Sequence, residues 1–178
     1  MFRVQRFQQD DAHIFITQDQ IQDEYERIFE IVDRFYGVFG LEYSFRVGTR
    51  TVDYLGDIET WNKAEDILKN IIENHVGVGN FDVHEGEGAF YGPKVDIMMK
   101  DAIGRSWQMG TIQLDFHQPQ RFSCIYVDKD GQRKTPVVIH RVIYGSLERF
   151  IGILIEHYVG AFPFWIAPIQ VKVIPIAD

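Results

Sequence analysis

Four strand-like runs follow one another through the second half of the chain: "KVDIMMKDA", "SWQMGTIQLDF", "RFSCIYV" and "KTPVVIHRVIY". Only "IGR", "HQPQ" and "DKDGQR" separate them, and these short pieces carry turn residues. A parallel pairing needs a crossover of a dozen or more residues, so strands joined this tightly imply an antiparallel sheet. Asp130-Gly131 at the tip of "DKDGQR" is a strong hairpin signal. Helical patterns stand on either side of this region. "TQDQIQDEYERIFEIVDRFYGVFG" offers Thr17 as an N-cap, puts Ile21, Tyr25, Ile28, Val32 and Phe35 on one face, and ends at Gly40. "IETWNKAEDILKNIIENH" carries a stripe of Trp61, Ala64, Leu68, Ile71 and Ile72. "GSLERFIGILIEHYV" reads as a buried helix, "PFWIAP" breaks it, and "QVKVIPIAD" reads as a new strand. Residues 2–16 read as a strand or one arm of a hairpin, "LEYSFRV" as a short strand and "GTRTVDYLGD" as a loop. Helices before and after an antiparallel sheet define an α+β fold.

At 178 residues the chain is long enough for one domain with a real core. A net charge of −8 argues against a surface that coats nucleic acid, although a local basic site for ATP or RNA is compatible with it. Cys124 is the single cysteine, so no disulfide lies within the chain, and "RFSCIYV" predicts a buried thiol in a strand. The absence of a long apolar run, a signal peptide or a polybasic tail predicts a cytoplasmic protein that does not enter a membrane. The chain opens on strand-like "MFRVQRF", which leaves open whether Met1 is a true start.

Three clusters carry chemistry. In "FQQDDAHIF", Gln9, Asp11 and His13 are spaced by two, so a strand puts them on one face and turns Asp10 to the other. Such a face is either solvated or lines a site. In "GEGAFYGPKVDI", glycines 86, 88 and 92 surround Phe90 and Tyr91, with Lys94 adjacent. Glycine allows close backbone approach to a ligand, but the spacing fits neither a phosphate-binding P-loop nor a dinucleotide fingerprint. In "VVIHRVIYGSLERF", His140 interrupts an apolar strand, as a hydrogen-bonded core residue or as a ligand. Arg149 sits near a helix N-terminus, where the macrodipole disfavours a cation unless an anion such as phosphate offsets it.

Taken together, "FQQDDAHIF", "EGAFYGPK", "GTIQLDF" and "VVIHRVIYGSLERFIGILIEH", in this order and at these separations, closely resemble the threonyl-tRNA synthetases, a class II aminoacyl-tRNA synthetase family. "GSLERF" resembles motif 3 of that class and the opening strand resembles the second strand of motif 2. The resemblance implies a class II synthetase-like antiparallel sheet flanked by helices. It also implies a partial catalytic domain over 1–165 and the start of an anticodon-binding domain over 166–178. The implied activity is threonine–tRNA ligation: threonine is activated with ATP and Mg2+, then transferred to tRNA(Thr) by an enzyme that is a homodimer at full length. The resemblance assigns His13 and His140 to a catalytic Zn2+ and Asp11 to the amino group of threonine. It assigns Gln9, Tyr91 and Gln113 to the amino-acid and adenylate pocket, Phe7 to stacking on adenine, Arg3, Gln108 and Arg149 to ATP, and Lys94 to phosphate. Arg3, Gln9 and Arg149 are the implied catalytic set.

Several family features fall outside the sequence or differ within it. The third zinc ligand of the family, a cysteine, lies upstream of motif 2, and Cys124 is in the wrong place to replace it. Motif 1 and the motif 2 arginine are likewise absent, Thr51 stands where proline is usual, and Gln5 stands where a basic residue is expected. The expectation is an internal piece of a synthetase that is inactive alone. The competing expectations are a catalytically silent synthetase-like module that binds a ligand, an RNA or a protein, and an unrelated zinc enzyme.

Overall fold

A computed structural model describes residues 2–176. The strands are β1 (Ala12–Ile16), β2 (Tyr43–Gly48), β3 (Phe81–His84), β4 (Lys94–Lys100), β5 (Ser106–Asp115), β6 (Tyr126–Val127), β7 (Arg133–Lys134) and β8 (Val137–Val142). The helices are α1 (Ile21–Phe39), α2 (Ile58–Val76), the single turn α3 (Gln118–Arg121) and α4 (Leu147–His157). A six-stranded sheet runs in the order β1-β8-β5-β4-β2-β3, and β6 and β7 pair separately as a hairpin. The fold is α+β, as expected. Every pair in the large sheet is antiparallel except β2 with β3, which is parallel and bridged by α2.

The helices form where the sequence period puts them. Thr17 closes a capping box with Gln20 over a 3-10 turn, and α1 ends at Gly40 in the left-handed region, φ 67°. Asp57 caps α2 by accepting from the Thr60 N–H at 2.8 Å. The buried residues of α2 are Trp61, Ala64, Leu68, Ile71 and Ile72, the stripe read from the sequence. In α1 the buried set is Ile21, Tyr25, Ile28, Phe29, Val32 and Tyr36. Phe35 is only half-buried and stacks on Tyr144 instead. One face of the sheet packs on these helices: Phe45, Val47, Val95, Ile97, Ile112, Leu114 and Ile139 join Tyr25, Phe29, Leu68, Ile72, Phe150 and Ile153 in one core. Burying such aliphatic and aromatic side chains contributes roughly 1.5–3 kcal/mol each, which fixes which face turns inward.

Four local expectations are corrected. Residues 2–11 are not a strand; β1 begins at Ala12, and Gln9 makes an isolated bridge to Ser146. "RFSCIYV" keeps only Tyr126–Val127 as strand, and Cys124 lies outside it, half-buried rather than buried. Pro119 at the start of α3 redirects that segment into a helical turn. The parallel strand β3 was not anticipated, because "FDVH" is too short to show a period. In "QVKVIPIAD", residues 170–176 form no strand, and Ala177 and Asp178 lie outside the described residues. Val171, Val173 and Ile174 are exposed, and a strand without a neighbour to satisfy its backbone is not stable.

Candidate active site

The sheet face turned away from the helices carries the polar residues. Alternation in β5 sends Ile112 and Leu114 to the core and Thr111, Gln113 and Asp115 to the other side. The register then builds a transverse row across four strands. Lys94 of β4 pairs with Gln113 of β5, Gln113 pairs with His140 of β8, and His140 pairs with His13 of β1. The two imidazoles meet edge to face with ring centres 4.6 Å apart. Tyr91 closes over this row: its hydroxyl donates to Gln113 Oε1 and its ring lies 5.2 Å from that of His140. Burial, and after it the carboxylates Asp115 and Asp11, push the Tyr91 phenol up to about 12. Asp11 precedes β1, so its charge is felt at Tyr91 but strand alternation does not set its side.

Asp10 does turn away. Its carboxylate accepts from the Ile143 N–H at 2.9 Å and the Tyr144 N–H at 3.3 Å, and pairs with Arg141 at 3.2 Å. The opening arm is also stitched to α4. Leu147 N–H donates to Gln8 O at 2.8 Å, and Gln8 N–H donates to Glu148 Oε2 at 3.1 Å. These bonds join residues about 140 positions apart and set the arm beside the N-terminus of α4.

A cavity of about 570 Å³ opens there, lined among others by Arg3, Phe7, Gln9, Gln108, Thr111 and Arg149. Five residues singled out from the sequence thus share one wall system. Arg149 is not waiting for an anion alone. Its Nε donates to Phe2 O at 3.2 Å, its Nη1 donates to Gln108 O at 3.3 Å, and its guanidinium lies 5.2 Å from the centre of the Trp107 ring. These neutral acceptors and the ring offset the macrodipole and hold the fork at the cavity wall. Trp107 is itself stacked on Phe2 and donates from Nε1 to Asp101 at 2.8 Å.

Two glycines of "GEGAFYG", Gly88 and Gly92, approach the protein's own backbone, while Gly86 faces open space at φ 80°. A Cβ on Gly92 would collide with the Leu114 carbonyl oxygen, and one on Gly88 with the Thr49 carbonyl oxygen. Their bareness lets the loop carrying Tyr91 lie flat on the sheet.

Asp96 is a buried polar centre on the site face that sequence reasoning missed. It is fully buried and accepts from Gln108 Nε2 at 2.8 Å, Thr111 Oγ1 at 2.9 Å, Arg46 Nη2 at 3.0 Å and Lys94 Nζ at 3.0 Å. Residues 108 and 111 would face opposite sides of a regular strand. A bulge between Ile97 and Met98 shifts the register, so both reach the same oxygen of Asp96. Asp115 is the other omission. The signal for both was present, in the polar alternation Thr111, Gln113, Asp115 and in Lys94, Asp96.

His13 and His140 bring two imidazole nitrogens into one neighbourhood, and Asp115 Oδ2 lies 2.9 Å from His140 Nε2. An imidazole backed by a carboxylate is the usual arrangement around a zinc ligand, so these residues fit a share in a metal site. No group of three or more His, Cys, Asp or Glu side chains suited to a metal occurs among the described residues. No described helix is long and apolar enough to cross a membrane.

Comparison with known proteins gives consistent results. The family profile for the tRNA synthetase class II core domain (G, H, P, S and T) matches residues 1–158. Threonine–tRNA ligase of Clostridium tetani is 54% identical over the whole chain, and that of Fusobacterium nucleatum is 51% identical. The chain spans 28% of the length of each of these relatives. Among solved structures, the RNA-binding domain of threonyl-tRNA synthetase from Cryptosporidium parvum superposes with a TM-score of 0.87 at 44% identity. That match covers 93% of this chain and 42% of the other.

Proposed function

The chain belongs to the tRNA synthetase class II core domain family (G, H, P, S and T), and from that premise we propose that it forms the amino-acid and nucleotide-binding core of a threonine–tRNA ligase. The observation that carries this reading is the unbroken row Lys94, Gln113, His140, His13 on a sheet whose strand β5 also sends Gln108 and Thr111 to the cavity lined by Arg3, Phe7, Gln9 and Arg149. The row suits a small polar amino acid, and the cavity suits ATP, which carries Mg2+ as part of the substrate.

In this reading Phe7 stacks on adenine, Arg3 and Arg149 hold phosphate charge, and Gln108 orients the nucleotide. Asp11 receives the amino group of threonine while Tyr91, Gln113 and Gln9 bound its pocket, and Lys94 faces the phosphate that threonine attacks. Activation joins the threonine carboxylate to the α-phosphate and expels pyrophosphate. The step needs alignment and charge stabilisation more than covalent help. His13 and His140 would contribute two ligands to Zn2+, whose Lewis acidity would read the amino and hydroxyl groups of threonine together. A site that bonds the hydroxyl rejects valine far more strongly than an apolar pocket could. Transfer to tRNA(Thr), and dimer formation, belong to the proposed whole enzyme.

The test is calorimetric binding of a non-hydrolysable threonyl-adenylate analogue to the chain, against its seryl and valyl counterparts, with threonine-dependent pyrophosphate exchange measured alongside. We expect the threonyl analogue to bind in preference, and Arg149→Ala to weaken it. We expect no exchange from the chain alone, and exchange once it replaces the matching stretch of the Clostridium tetani ligase. Binding without exchange in that hybrid would favour a silent module, and no preference for the threonyl analogue would defeat the reading.

A further inference from the structure

Asp115 stands apart from the residues that line the pocket. It is fully buried, and both of its carboxylate oxygens have nitrogen partners. Its Oδ1 accepts from the His117 N–H at 2.8 Å and the Gln118 N–H at 2.9 Å, at the start of the α3 turn. Its Oδ2 lies 2.9 Å from Nε2 of His140. Asp115 pairs with Val138 in the β5–β8 ladder, so it is the diagonal neighbour of His140 on the site face. Backbone N–H groups can only donate, so they pin Oδ1 as an acceptor and fix the plane of the carboxylate. The remaining oxygen then faces the imidazole.

We infer that Asp115 is a positioning residue for His140: it holds the ring in the Nε2–H tautomer and leaves Nδ1 as the nitrogen with a free lone pair. The inference deepens the reading of His13 and His140 as metal ligands and rests on it for its consequence. A neutral imidazole binds a metal through its unprotonated nitrogen, and the partner of the other nitrogen decides which one that is. Nε2 is committed to Asp115, so His140 has only Nδ1 to offer. The edge-to-face packing against His13 and the Tyr91 ring restrict rotation of the same imidazole. Sheet register brings the two histidines together. Asp115 decides which atom one of them presents.

The isosteric change Asp115→Asn gives a sharp contrast. The two N–H groups at Oδ1 hold the amide oxygen in place, so the amide nitrogen takes the position of Oδ2. That nitrogen donates to His140 Nε2, which must then carry the lone pair, and the proton moves to Nδ1. The experiment is two-bond ¹H–¹⁵N correlation on the histidine-labelled chain at fixed pH, with His140 assigned by the loss of its signals in His140→Gln. We expect Nε2–H in the wild type and Nδ1–H in Asp115→Asn. A zinc titration followed on the same signals should show affinity in the variant lower by about 10–100-fold, the usual effect of losing such a carboxylate. Circular dichroism and unchanged signals of His75 and His157 report whether the variant keeps its fold. If it does not fold, the wild-type tautomer alone decides. An Nδ1–H tautomer in the wild type, or an unchanged tautomer in a folded Asp115→Asn, overturns the inference. Absence of zinc binding by the wild-type chain with the expected tautomers would leave the Asp115 assignment standing, and absence of binding by the hybrid ligase as well would overturn the metal reading.

Discussion

Replacing Asp96 by alanine should be among the most damaging single changes on the site face. The carboxylate is fully buried and serves four donors at 2.8–3.0 Å, two of them the cations Arg46 and Lys94. Removing one member of a buried ion pair costs about 3–5 kcal/mol, because the partner charge stays behind without compensation. Here the Arg46 and Lys94 side chains are 18% and 15% exposed, so water reaches part of each cation and the lower end, about 3 kcal/mol, is the better figure. For a chain of this size that lowers Tm by about 6–12 °C, at roughly 2–4 °C per kcal/mol. The assay is urea unfolding with tryptophan fluorescence, taking the free energy from midpoint and slope. The companion variant Arg46→Met/Lys94→Met/Asp96→Leu removes all three charges, and its loss should be smaller than that of Asp96→Ala alone. A single-variant loss below about 1 kcal/mol, in the range of an exposed pair, would refute the argument that this carboxylate is buried and shared.

Three further outcomes follow from the geometry. Burial pushes the Asp101 carboxyl up, but donors from Trp107, Arg105 and the Ile103 backbone outweigh it and hold the group at about 2, below the ordinary 3.8. A depressed pKa contributes stability that is complete above pH 4 and lost between pH 4 and 2, so the Tm advantage of wild type over Asp101→Asn should vanish across that window; a constant difference would contradict it. Gly92→Ala should cost about 1–3 kcal/mol, because its Cβ has to push the Tyr91 loop off the Leu114 carbonyl, and the threonyl-adenylate analogue should bind more weakly in the same variant. Arg149→Lys keeps the charge but loses the planar fork that reaches Phe2 O and Gln108 O together. Pyrophosphate exchange in the hybrid ligase should fall by about one to two orders of magnitude, and an unchanged rate would remove Arg149 from the phosphate site.

The sequence by itself determined helices α1, α2 and α4 and the strands β4, β5 and β8. Those features depend on local period. The stripe of Trp61, Ala64, Leu68, Ile71 and Ile72 needs only the rule of 3.6 residues per turn, and burial followed it. Alternation likewise put His13 on the face of its β8 partner His140. The extent of an edge segment is different. Residues 2–11 look like strand, but their hydrogen bonds go to Ser146, Leu147 and Glu148 of a distant helix start, so no ladder forms. "QVKVIPIAD" alternates well enough for a strand and lacks a neighbour to pair with. Asp96 and Asp115 were the deepest omissions. Their environments depend on register between β4, β5 and β8 and on a one-residue bulge, and such quantities are set by which strands meet. A period can say which face a side chain takes. Only the tertiary pairing decides whose donors are waiting there, and with them whether a polar residue is solvated, structural or part of a site.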